Sequence, residues 1–171
     1  MARISIIGGG SWGIALAVLL SRNGHEITIW SALENEIAML KEKHEHRMLP
    51  GVVLPDNTVF TTREQEAVQG KDLLVMAVAS SYTRSTARRL KELVENNQKI
   101  LNVAKGIEET TLMTLSEIIE QEIPQADVAV MSGPSHAEEV GRGLPTTIVV
   151  GAGSRATAEY IQNLFMNEVF R

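Results

Sequence analysis

Cysteine is absent from the 171 residues. A disulfide framework and a thiolate metal site are therefore excluded, and the chain suits a reducing compartment. Basic residues are outnumbered, 16 against 21 acidic, for a formal net charge of −5. A nucleic-acid partner usually demands a basic patch, so none is expected. No apolar run approaches the ~18 residues of a membrane span, so no membrane partner is expected either. The start, Met1-Ala2-Arg3-Ile4-Ser5-Ile6-Ile7-Gly8, lacks the long apolar stretch of a signal peptide, because its apolar run stops at glycine. A cytoplasmic location follows as an expectation. There is no internal repeat and no low-complexity tract. What is present is ordinary for a globular chain: 44% hydrophobic and 22% charged residues. Against a usual domain size of ~150 residues, the length predicts one domain over 1–171.

Short apolar runs alternate with longer amphipathic stretches. Strands are predicted at Ile4–Ile7, Glu26–Trp30, Val59–Thr61, Asp72–Ala79, Ile100–Val103, Val128–Met131 and Thr146–Val150. Helices are predicted at Trp12–Leu20, Glu34–Lys43, Arg63–Gln69, Thr83–Val94, Thr110–Glu122, His136–Val140 and Ala156–Phe165. In Thr83–Val94 the residues Leu90, Leu93 and Val94 point inward, and Arg84, Arg88 and Arg89 outward. The run Asp72–Ala79 is apolar almost throughout, as a strand covered on both faces is in a parallel sheet. His44–Asn57, with Leu49-Pro50-Gly51 and Leu54-Pro55-Asp56-Asn57, reads as a loop. Such alternation predicts an α/β chain with a doubly wound, mostly parallel, Rossmann-like sheet.

Gly8-Gly9-Gly10-Ser11-Trp12-Gly13 contains G-x-G-x-x-G at Gly8, Gly10 and Gly13. The spacing alone is weak. Here it follows a strand, opens a helix and lies in a ~30-residue β-α-β unit, which makes it specific for a dinucleotide. Gly8 permits the tight turn, Gly10 lets a pyrophosphate approach the backbone, and Gly13 lets the helix pack close to the strand. Helix N–H groups then hold the phosphates. Trp12 sits inside this turn and is a candidate cofactor contact as well as a core aromatic. An NAD site usually adds an acid at the end of the second strand, ~20 residues on. That strand ends Ile29-Trp30-Ser31-Ala32-Leu33, and the first acids, Glu34 and Glu36, fall in the following helix. Without that acid a 2′-phosphate is tolerated, yet no Arg or Lys at 31–33 clamps it. The cofactor stays open between NAD and NADP, leaning to NADPH.

Ligands of such sheets bind beyond the carboxyl ends of the strands. Lys105, in Ala104-Lys105-Gly106, is a cation at one such end, either a site residue or a solvated loop lysine. Ser132-Gly133-Pro134-Ser135-His136-Ala137-Glu138-Glu139 follows another. Ser135 is read either as an N-cap, boxed by Glu138, or as a ligand-binding hydroxyl. His136 is read as a surface residue of the helix, and no catalytic acid or base is assigned. His44 and His46, beside Glu42 and Glu45, lack a third ligand at metal-site spacing and are read as charged surface, with no metal site expected.

These residues resemble the amino-terminal, cofactor-binding domain of bacterial-type glycerol-3-phosphate dehydrogenase [NAD(P)+]. The matching stretches are Gly8–Ala17, Asn23-Gly24-His25-Glu26, Leu49-Pro50-Gly51, Ala104-Lys105-Gly106-Ile107-Glu108, Ser132–Val140 and Gly143-Leu144-Pro145-Thr146, in the family's order. The resemblance implies an NAD(P)-dependent oxidoreductase that interconverts dihydroxyacetone phosphate and sn-glycerol 3-phosphate for glycerophospholipid synthesis. It implies that Ser11, Trp12 and Ala137 contact the cofactor, that Lys105 contacts cofactor and substrate, and that Gly133 and Ser135 contact the substrate. A homodimer is its implied full-length assembly. Two positions depart from the family pattern. Ala32 and Leu33 stand where members often carry His or Arg. Val78-Ala79-Ser80 replaces the usual Val-Pro-Ser, which should loosen that loop. The end at Phe170-Arg171 carries no stop signal and reads as a cut. The family's second, helical domain, with the lysine proposed as proton donor, would then be missing, and the chain alone would be inactive. Two rivals are a related hydroxyacid or 6-phosphogluconate type dehydrogenase and a non-catalytic dinucleotide-sensing module.

Overall fold

A computed structural model describes residues Met1–Arg171. The chain begins with β1 (Arg3–Ile7), α1 (Ser11–Arg22), β2 (Glu26–Trp30), α2 (Glu34–Lys43), β3 (Val59–Thr61), α3 (Glu64–Val68) and β4 (Leu73–Met76). It continues through α4 (Thr83–Leu90), β5 (Lys99–Asn102), α5 (Leu115–Glu122), β6 (Asp127–Ser132), α6 (Ala137–Gly141), β7 (Val149–Ala152) and α7 (Arg155–Phe165). The strands make one seven-stranded sheet in the order β3-β2-β1-β4-β5-β6-β7. All neighbours are parallel except β6 and β7. This is the doubly wound, mostly parallel architecture that the strand–helix alternation predicts. Ile7 is level with Trp30 on one side and Met76 on the other, so the strands' carboxyl ends share one rim. Strand order reverses between β1 and β4. A crevice opens at such a reversal because successive crossovers leave in opposite directions.

Side chains of the central strands are buried on both faces. Ile4 and Ile6 join the cluster under α1, while Ile7, Leu74 and Met76 join the one under α3, α4 and α5. Helix α1 is buried at every position from Gly13 to Leu20. It lies between the sheet and α6, which explains why its sequence is apolar all round rather than striped. Each such Leu or Ile contributes about 1.5–3 kcal/mol of burial, so this helix fixes the turn that precedes it.

Several local readings differ from the structure; β4 covers only Leu73–Met76 and α4 only Thr83–Leu90. Helix α5 starts at Leu115, not Thr110, because Thr114 and Glu117 form a capping box and Leu112 takes a left-handed φ of 59°. β7 starts at Val149 rather than Thr146, and Thr146 pairs with Phe170 instead. The N-cap of α6 is His136 without a side-chain bond; Ser135 does not cap it and turns its hydroxyl toward the Gly133 carbonyl at 3.4 Å. The segment 44–57 is a loop, as its turn-rich sequence predicts, and it packs Leu49, Val52 and Leu54 into the core. His46 is buried with it and accepts from the Met48 N–H at 3.2 Å, so it is not charged surface. Burial pushes its pKa down from the ordinary value, against the opposing pull of Glu36.

Candidate functional site

The glycine turn is built by exclusion. Gly8 has φ +125°, and a Cβ there would lie 2.9 Å from the carbonyl carbon and oxygen of Ala77. A Cβ on Gly13 would collide with the Gly8 carbonyl and lie 3.0 Å from Ile6 Cγ2. A Cβ on Gly10 would meet nothing within 4 Å. Two glycines are thus demanded by packing, and the third leaves open space. That space lies at the start of the 12-residue α1, where no side chain caps the helix and no acid stands in its first turn. Uncapped N–H groups and the positive end of the helix dipole suit an anion such as a diphosphate. The cradle therefore fits a dinucleotide.

Two clefts meet at this turn. The larger, of about 570 Å³, is lined by Gly10, Ser11 and Trp12, by the segments after β4 and β5, and by the start of α6. It gathers six of the sequence-derived positions: Gly10, Ser11, Trp12, Lys105, Ser135 and Ala137. His136 also lines it. Trp12 donates its indole N–H to the Val103 carbonyl at 3.0 Å, so its ring both joins the core edge and forms a wall of the cleft. Lys105 is exposed, and its Nζ donates to the Gly133 carbonyl at 2.6 Å. That bond ties the β5 end to the β6 end and brings Gly133 to the site. Gly8 lies in the second cleft, and Gly13 lies beneath the turn, facing neither.

The loop carrying Lys105 is held from a distance. Arg84 donates through Nε and Nη2 to both Glu108 carboxylate oxygens, at 2.8 and 2.7 Å, and also pairs with Glu122. The Arg84 hydrogen bonds hold Glu108 down to about 2 and lift Arg84 above its usual value. Glu122 is likewise lowered, by hydrogen bonds from Arg88 and Arg84. The helical pattern places Arg84 on the solvent face of its helix, yet its side chain is only 18% exposed. No local sequence signal pairs it with residues 24 and 38 positions away.

The second cleft, about 370 Å³, runs from Gly8–Gly10 over the end of β2 to α4. Its charged lining residues are Glu36 and Arg89. Arg89 lies over the Trp30 ring, 5.3 Å from its centroid, and pairs with Glu64. Glu36, in the first turn of α2, reaches back to the glycine turn: a Cβ on Gly9 would stand 2.7 Å from Glu36 Oε2. The sequence-based lean to NADPH rests on the lack of an acid at the end of β2; the structure brings Glu36, from the following helix, beside the glycine turn.

The profile of the family described as NAD-dependent glycerol-3-phosphate dehydrogenase N-terminus matches residues 3–158. Glycerol-3-phosphate dehydrogenase [NAD(P)+] of Agathobacter rectalis is 61% identical over 172 residues, which cover 100% of this chain and 51% of that protein. The protein of the same name from Fusobacterium nucleatum is 51% identical, over 100% of this chain and 52% of its own length. The chain thus spans about half the length of the curated relatives it matches. The crystal structure of glycerol-3-phosphate dehydrogenase from Coxiella burnetii superposes with a TM-score of 0.93 at 26% identity, over 99% of this chain and 52% of that one. A 3-hydroxyisobutyrate dehydrogenase from Mycobacterium tuberculosis shares the fold at a TM-score of 0.75 and 11% identity, over 100% of this chain and 54% of that one.

Proposed function

The chain belongs to the family of the NAD-dependent glycerol-3-phosphate dehydrogenase N-terminus, and from that premise we propose that residues 1–171 are the dinucleotide-binding domain of an enzyme reducing dihydroxyacetone phosphate to sn-glycerol 3-phosphate. The observation that carries this reading is the convergence of Gly10, Ser11, Trp12, Lys105, Ser135 and Ala137 on one cleft above the sheet's reversal point. A bound nicotinamide cofactor, NAD(P)H, supplies hydride chemistry there. The open N–H groups of α1 bind its diphosphate, and Trp12 and Ala137 flank it. Lys105 offsets negative charge on the substrate, and Gly133 and Ser135 help to place that substrate. Gly133 already spends its carbonyl on Lys105, which fixes the ammonium at the cleft mouth.

By this reading the chain alone binds nucleotide and turns over little or no substrate. The whole enzyme serves glycerophospholipid synthesis in the cytoplasm, as a homodimer. No helix here is long and apolar enough to cross a membrane. Titrating the folded chain with millimolar NADH and NADPH, while following the amide signals of Ser11 and Trp12, tests the reading. Shifts are expected in the glycine turn and along the two clefts that meet there. Silence with both nucleotides overturns it.

A further inference from the structure

We propose that Glu36 makes this chain prefer NADH over NADPH, by accepting from the ribose hydroxyls at the adenosine end and repelling a 2′-phosphate. The proposal deepens the dinucleotide reading above and rests on it.

The geometry begins at the rim of the sheet. The Gly8 N–H donates to the Trp30 carbonyl at 2.8 Å, so the end of β2 lies directly beside the first turn glycine. A dinucleotide whose diphosphate sits at the start of α1 must run its adenosine half over this neighbouring strand end. The second cleft lies there, and Glu36 lines it next to Gly9. Gly9 leaves room for that approach, since any side chain on it would meet the Glu36 carboxylate. Glu36 is half-buried, whereas Glu34, two residues earlier in the same turn, is exposed.

Charge decides the sign. A carboxylate only accepts hydrogen bonds, so it matches a diol, which donates, and opposes a phosphate dianion, which cannot. Glu36 stands in the first turn of α2. Its carboxylate makes no ion pair. The one cation lining the same cleft is already committed, since Arg89 is paired with Glu64 and laid on Trp30. The strand end offers no replacement: Ser31 spends its hydroxyl accepting the Leu33 N–H at 3.1 Å, and Ala32 and Leu33 carry no charge. The cleft thus presents a free anion and a neutralised cation. The acid is delivered from a helix rather than from the last residue of β2, which is why strand-end spacing misses it.

Calorimetric titration of the 171-residue chain with NADH and with NADPH tests this, for the wild type, E36Q and E34Q. A charged hydrogen bond gained by one ligand, and a repulsion suffered by the other, predict at least ~10-fold tighter NADH binding in the wild type. E36Q should remove most of that ratio, chiefly by tightening NADPH, and E34Q should keep it. Equal or tighter NADPH binding by the wild type overturns the proposal without any variant. A wild-type preference for NADH that survives in E36Q overturns the role of Glu36 while leaving the dinucleotide reading intact. If neither nucleotide binds, both fall together.

Discussion

The turn after β1 and the loop after β5 face the same cleft, but they are held by different forces. Gly8–Gly13 is shaped by backbone contacts that leave no room for a Cβ at Gly8 or Gly13. The Lys105 loop is shaped by side chains, with Gly106 at φ +124° and Arg84 gripping Glu108 from α4. The first arrangement is steric, so pH and salt hardly touch it. The second is electrostatic, so both can tune it. A rigid seat thus faces an adjustable arm across one cleft.

The largest effect should come from breaking the steric half. Gly13→Ala drives a Cβ into the Gly8 carbonyl and should destabilise the chain by about 3 kcal/mol, the upper range for overpacking. Gly10→Ala sharpens the contrast, because its Cβ meets only open space and its φ of −69° suits any residue. Its melting temperature should stay near the wild type, while its affinity for NADH falls at least ~10-fold as the methyl group takes the diphosphate's room. Thermal melts and titrations of the two variants check this. Equal melting temperatures for both would show that Gly13 is not a packing glycine.

The arm should matter next, and only for turnover. In the full-length enzyme, Lys105→Ala should lower kcat/KM by at least ~100-fold, typical of losing one electrostatic stabiliser. The Lys105 side chain is exposed, so the melting temperature should barely move. Steady-state kinetics that stay near wild type would remove Lys105 from the chemistry.

The steric half was readable from the sequence and the electrostatic half was not. β2, α2 and β3 occupy the residues their patterns predict, since each pattern is local. The glycine turn is equally local, with strand, turn and helix inside a few residues. Where two local signals compete, the structure obeys the cap: the apolar repeat at Leu112, Leu115, Ile118 and Ile119 overruns the start signal at Thr114-x-x-Glu117, whose capping box begins α5. Edge effects moved β7, because its register is set by antiparallel pairing with β6 and not by its own composition. Glu36, Arg84 and Arg89 take their meaning from partners on other elements. Arg84 reads as an exposed helix arginine until α5 and the Lys105 loop are folded around it.

The smallest effect belongs to that clamp. Arg84→Met keeps the stem and removes the charge, leaving Glu108 and Glu122 facing each other without their shared cation. The Lys105 loop should then exchange its amide protons faster, and the melting temperature should fall by a few degrees at neutral pH. The pH dependence carries the sharper test. Glu108 is held at about 2 in the folded chain, below its ordinary 4.5. A depressed carboxylate stabilises the fold above the ordinary value and loses that contribution as pH falls toward about 2. Between those limits the wild type should lose melting temperature more steeply than Arg84→Met, and the two curves should converge in acid. Parallel curves would mean that Arg84 does not hold Glu108 in solution, and the Lys105 loop would then be shaped by its own backbone, like the glycine turn opposite.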